Sequence, residues 1–137
     1  MTSEIVLDAS AAIHLIMAAE HASDLVERLE RAASVAAPDL FFSEVGNALW
    51  KYVQFRTLTV EKAVTHLQEA MDLVDGIVPT QELIQEAVIA AARYGHPVYD
   101  MLYAVLARRH GATVITTDRS FASLLRRMEI DTYCPLM

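Results

Sequence analysis

Residues 5–15, IVLDASAAIHL, decide how the chain is read. Ile5, Val6 and Leu7 follow one another without polar alternation, as in a short strand covered on both faces. Asp8 closes the run, and Ser10 can cap a helix that takes in Ile13, Leu15 and Ile16. A buried strand passing directly into a helix is the opening of a crossover unit, and the same alternation recurs along the rest of the sequence.

Working outward, residues 20–33 place Ala22, Leu25, Val26 and Leu29 at helical spacing, and Val35 to Ala37 form a brief strand stopped by Pro38. Asp39 to about Phe55 reads as a long helix carrying Leu40, Val45, Leu49, Trp50 and Val53. Thr59 opens another, with Val60, Ala63, Val64, Leu67, Ala70 and Met71 on one side, and the two are expected to form a hairpin. A third strand is expected at Gly76 to Val78. Thr80 can cap a helix whose buried stripe is Leu83, Ile84, Ala87, Val88 and Ala91, ended by Gly95. Pro97 starts the next helix, through Asp100 to about His110, and Gly111 stops it. Thr113 to Thr116 gives a fourth strand, Asp118 can cap a short helix through Arg126, and Ile130 to Tyr133 is an edge strand. Strands separated by helices imply parallel pairing. The expected fold is therefore α/β, a three-layer sandwich with a central parallel sheet of about five strands, forming one domain over residues 1–137.

The totals narrow the chemistry. At 137 residues and 54% hydrophobic composition, the chain has ample material for one core. The single cysteine, Cys134, cannot form an internal disulfide, and the five histidines show no zinc-binding spacing. No basic segment precedes the first apolar run and no run nears the roughly 20 residues of a spanning helix, so a cytoplasmic protein is expected. The net charge of −7 argues against a surface devoted to coating phosphates. Residues 1–90 hold 14 acidic and 5 basic residues, whereas residues 91–137 hold 4 acidic residues and 6 arginines. Arg119 and the other late arginines are thus the expected contacts if nucleic acid binds, with solvated helix faces as the plainer alternative.

The acids carry the functional signal. In an open parallel sheet, ligands bind at the carboxyl ends of the strands. Asp8 ends the first strand, Asp118 follows the fourth, Asp100 lies in the first turn of a helix, and Glu44 lies early in the long helix after the second strand. Each alone has an ordinary reading as a cap or a dipole partner, Glu44 least so, because it sits between Phe42, Val45, Leu49 and Trp50. Carboxylates gathered at one edge repel one another unless a cation neutralises them. An all-oxygen set favours Mg²⁺, with Mn²⁺ as the alternative, and such a site can activate water and orient a phosphodiester. Ser10, Asn47, Thr116 and Thr117 are candidates to support the acids by hydrogen bonds. His14, His96 and Cys134 read as structural, although His96 stands four residues before Asp100.

The blocks IVLDASAAIHL, PDLFFSEVGNALWK, YGHPVYDMLYAVLA and VITTDRSF, in this order and spacing, resemble the PIN domain, and specifically the ribonuclease toxins of VapBC toxin-antitoxin pairs. The resemblance implies an Mg²⁺- or Mn²⁺-dependent endoribonuclease on a five-stranded parallel sheet, its metal held by Asp8, Glu44, Asp100 and Asp118. It implies support from Ser10 and from Thr116 or Thr117, a homodimer, and a cognate antitoxin whose C-terminal segment fills the toxin groove. His14 stands where relatives commonly carry a basic residue, a departure that bears on substrate contact. The competing readings are a catalytically weak module that binds RNA or an antitoxin, and a metal-dependent nuclease acting on DNA. A phospho-acceptor receiver would carry an adjacent acidic pair after its first strand and a lysine after its last. A dinucleotide binder would carry glycines in its first turn, where this chain has Asp-Ala-Ser-Ala-Ala.

Overall fold

The computed structural model describes residues 3–136. The chain runs β1 (Glu4–Leu7), α1 (Ala9–Ile16), α2 (Ala22–Arg31), β2 (Ser34–Pro38), α3 (Leu40–Gln54), α4 (Val60–Asp72), β3 (Gly76–Val78), α5 (Thr80–Tyr94), α6 (Val98–His110), β4 (Thr113–Ile115), α7 (Arg119–Arg127) and β5 (Thr132–Tyr133). The five strands form one sheet in the order β3-β2-β1-β4-β5, and each neighbouring pair is parallel. Ile5 is paired with Val35 on one side and Thr113 on the other. The expected α/β sandwich with a five-stranded parallel sheet is what is found.

Successive strand residues face opposite sides of a sheet. Ile5, Val6 and Leu7 are all buried, so both faces of β1 are covered. The helix α6 is buried continuously from Met101 to Ala107, because it is packed on β1, β2 and β4 and covered in turn by α5. A helix buried all round must be apolar all round, and the sequence MLYAVLA meets that demand with one hydroxyl, that of Tyr103. Gly95 and Gly111 end α5 and α6 in the left-handed conformation, at φ +63° and +60°.

Several local expectations need correction. The first helix starts at Ala9 with Asp8 as its N-cap residue, so Ser10 sits inside the first turn and its hydroxyl is directed elsewhere. Thr80 is likewise inside α5, with Pro79 before it, and its hydroxyl and N–H both donate to Asp39. The apolar stripes are wider than the faces that become buried. Trp50 on α3, Val60, Val64 and Met71 on α4, and Val88 on α5 are exposed, and α5 buries Leu83, Ala87 and Ala90 instead. Helical periodicity marks an apolar face, and packing covers only the part of it that meets a neighbour. Asp118 does cap α7 as expected, its Oδ1 accepting the Phe121 N–H at 3.1 Å.

Candidate active site

The sheet order sets where the acids meet. From β1 the chain steps outward through β2 and β3, then returns to the other side of β1 for β4 and β5. The crossovers after β1 and β4 therefore leave in opposite directions, and a crevice opens beyond the carboxyl ends of these two strands. Asp8 follows β1 there, its N–H donating to Ile115 O of β4 at 3.0 Å. Thr116, Thr117 and Asp118 follow β4. The helix α3, leaving β2, brings Glu44, and the start of α6 brings Asp100. All four acids line one cavity of about 680 Å³.

Asp8 is the buried member, 7% exposed. Its Oδ2 accepts the Ser10 hydroxyl at 2.6 Å and the buried Thr116 hydroxyl at 2.7 Å. Each hydroxyl has one proton and gives it to Asp8, so each must serve as acceptor to the next segment. Ser10 Oγ accepts the Thr117 N–H at 3.0 Å, and Thr116 Oγ1 accepts the Asp118 N–H at 3.0 Å. Two hydroxyls thus fix the turn after β4 to the carboxylate after β1. Burial, with the charges of Glu44 and Asp100 adding to it, pushes the Asp8 carboxyl up to about 6 from its ordinary 3.8, against the opposing pull of these two donors.

Glu44 is half-buried and also raised, first by burial and then by Asp100. Its Oε1 accepts the phenol O–H of Tyr103 at 2.7 Å. Burial, together with the charges of Asp8 and Glu44, pushes the Tyr103 hydroxyl far up, so it is held protonated as a donor. Asp100 Oδ2 lies 2.7 Å from His96 Nε2, on the segment just before α6, and the imidazole lies roughly parallel to the ring of Phe121 on α7. Asp8 thus lies in the field of Glu44 and Asp100, and Glu44 in that of Asp100. Asp118 lines the same cavity but is exposed and is engaged as the cap of α7.

Asp8, Glu44 and Asp100 each turn one oxygen to a neighbouring side chain, Ser10, Tyr103 and His96 respectively. Among the described residues no three His, Cys, Asp or Glu side chains stand close enough together to form a ready-made metal ligand set. The donor chemistry nonetheless fits a hard divalent cation. Asp8 Oδ1, Glu44 Oε2 and Asp100 Oδ1 take no hydrogen bond among the described residues, and the site offers oxygen alone.

The supporting residues divide. Ser10 and Thr116 touch Asp8; Thr117 reaches the site through its backbone; Asn47 lines the cavity without a hydrogen bond among the described residues. Arg119 is exposed, and none of the late arginines lines the cavity: Arg109 pairs with Glu86 at 2.9 Å, and Arg127 lies over Tyr94. Three residues escaped the sequence reading. His96, read as structural, contacts Asp100. Tyr103, three residues past Asp100 on the same face of α6, holds Glu44, and its spacing is the signal that could have found it. Lys51 lines the cavity two helical turns after Glu44. His14 also lines it, its Nε2 at 2.5 Å from the Glu20 carbonyl oxygen.

A sequence model described as the PIN domain matches residues 5–125. Ribonuclease VapC3 of Pyrobaculum aerophilum is 29% identical over 121 residues, which are 87% of this chain and 92% of that protein. A crystal structure of a Pyrobaculum aerophilum protein superposes with a TM-score of 0.69 at 25% identity, covering 93% of this chain and 90% of the other. The Rickettsia felis complex VapBC2, bound to a DNA fragment from its promoter, matches with a TM-score of 0.69 at 14% identity, covering 96% and 98%.

Proposed function

The chain belongs to the PIN domain family, and from that membership together with its acid-lined crevice we propose that it is a divalent-metal-dependent endoribonuclease, the toxin of a toxin-antitoxin pair. The observation that carries the reading is the grouping of Asp8, Glu44 and Asp100, from three distant segments, around one open cavity where their charges act on one another. The name of the Pyrobaculum relative supports ribonuclease activity, and the neighbouring toxin-antitoxin complexes support an antitoxin as partner. Among the described residues no helix is long and apolar enough to cross a membrane. The reading includes one nuclease domain acting as a homodimer in the cytoplasm.

Asp8, Glu44 and Asp100 would hold the cation, with Asp118, the cap residue of α7, as the fourth acid of the cavity. A bound Mg²⁺ or Mn²⁺ supplies Lewis acidity at the phosphate and lowers the pKa of a coordinated water. The protein's own part is orientation. Ser10 and Thr116 fix Asp8, Tyr103 fixes Glu44, and His96 fixes Asp100, so the carboxylates are aimed before substrate arrives.

The test is degradation of RNA by the purified chain in Mn²⁺, beside Asp8→Asn and Asp100→Asn variants, with single-stranded DNA of matched sequence as a second substrate. Cleavage of RNA by the wild type and at least a hundredfold loss in both variants are expected. Equal degradation by all three proteins, or none across a broad RNA panel, would refute the enzymatic reading, and preferential cleavage of DNA would refute the choice of substrate.

A further inference from the structure

The cavity continues past the carboxylates along one stripe of α3. Glu44, Asn47, Ala48, Lys51, Tyr52 and Phe55 recur at intervals of three and four residues, and all line it. From Glu44 to Phe55 the stripe covers roughly 16 Å at the helical rise of 1.5 Å per residue. Its character changes along the way, from carboxylate through amide to ammonium and then to two aromatic rings. Lys51 forms no ion pair among the described residues and is the one lysine or arginine among them that lines the cavity. Phe55, at the end of α3, is 81% exposed, and neither its ring nor that of Tyr52 stacks on another ring among the described residues. Phe55 thus presents an exposed ring at the mouth of a cavity whose wall combines polar groups with the apolar side chains of Ile13 and Met17.

We infer that this stripe is a track for single-stranded RNA: Lys51 meets a backbone phosphate next to the scissile bond, and Tyr52 and Phe55 stack the bases beyond it. The inference rests on the ribonuclease reading. A strand with its phosphodiester at the carboxylates that leaves along the open cavity passes the ammonium of Lys51 and the rings of Tyr52 and Phe55, with Ile13, His14 and Met17 on the facing wall. Those are the contacts through which unpaired nucleic acid is held. A duplex would keep its bases stacked on one another and out of reach of both rings. A peptide is the competing occupant, and it would need the apolar surface of Phe55 without needing a ring.

The experiment measures binding of a short fluorescent single-stranded RNA of degenerate sequence to the full chain in EDTA, where cleavage is blocked. Phe55→Ala and Tyr52→Ala are each expected to weaken binding about tenfold, with Phe55→Trp restoring it. Lys51→Gln should lower the slope of log affinity against log salt by about 0.7. Ile89→Ala, which removes an exposed apolar side chain from α5, should change nothing. Binding by Phe55→Ala equal to wild type, equal losses on duplex RNA, or full retention by Phe55→Leu would overturn the track, the last because it points to plain apolar cover of the kind a peptide provides. If the wild type cleaves RNA in Mn²⁺ but is indifferent to Phe55, only the track fails; if it neither binds nor cleaves RNA, the ribonuclease reading fails with it.

Discussion

Asp8 shows how much one residue can carry. The burial that lifts its carboxyl to about 6 is also a cost to folding whenever the group is ionised. Its folded value lies above the ordinary 3.8, so its contribution is fully present below pH 3.8 and is lost as pH rises through about 6. Without metal, Asp8→Asn should therefore stabilise the protein above pH 6, by up to about 3 kcal/mol at 1.36 kcal/mol per pH unit, with the gain vanishing below about pH 4. Urea midpoints measured across that range would check it, and a gain independent of pH would count against the burial argument. Tyr103 acts in the opposite sense, because its hydroxyl is a donor matched to a charge. Tyr103→Phe should cost about 1–2 kcal/mol of stability and reduce cleavage, while Asp8 keeps both of its hydroxyl donors. The identity of these residues was legible in the sequence, and their partners were not. Nothing local pairs Glu44 with a tyrosine 59 positions away or Asp8 with a threonine 108 positions away.

Among the elements, α6 and α7 repay comparison. The former carries Asp100 and Tyr103 on one face, with His96 just before its start, and is buried from Met101 to Ala107, so it is the beam to which the site is attached. The latter is a short helix capped by Asp118 and ending at Arg127, and just beyond it Glu129 adopts the left-handed conformation at φ +60° with an acidic side chain near the negative helix end. Glu129→Gly relieves both strains and should stabilise the protein by about 1 kcal/mol, a rise of about 4 °C in Tm. Gly111→Ala, at the equivalent position after α6, should cost about as much. Element types were readable because glycines, prolines and apolar periods mark them. The buried faces were overstated for α3, α4 and α5, because amphipathicity reports which residues are apolar and not which neighbour arrives to cover them.

For the whole molecule, the proposed metal site would couple cation binding to folding, because the carboxylates that would hold the ion repel one another without it. A cation bound to the native state alone stabilises it by mass action, so millimolar Mg²⁺ or Mn²⁺ should raise Tm, and Glu44→Gln should blunt the rise. An unchanged Tm in saturating metal would count against the proposed ligand set. The sequence by itself determined the alternation of strands and helices, the parallel sheet that alternation compels, and the acids at strand and helix ends, because these follow from local periodicity and chain connectivity. Tertiary structure alone decided the rest. It put the crevice between β1 and β4, where the crossovers diverge, engaged Asp118 as the cap of α7, recruited His96 and Tyr103 as partners of Asp100 and Glu44, and placed Lys51 in the cavity in preference to the late arginines. Those outcomes depend on distances between segments far apart in the chain, and such distances exist only once packing has closed them.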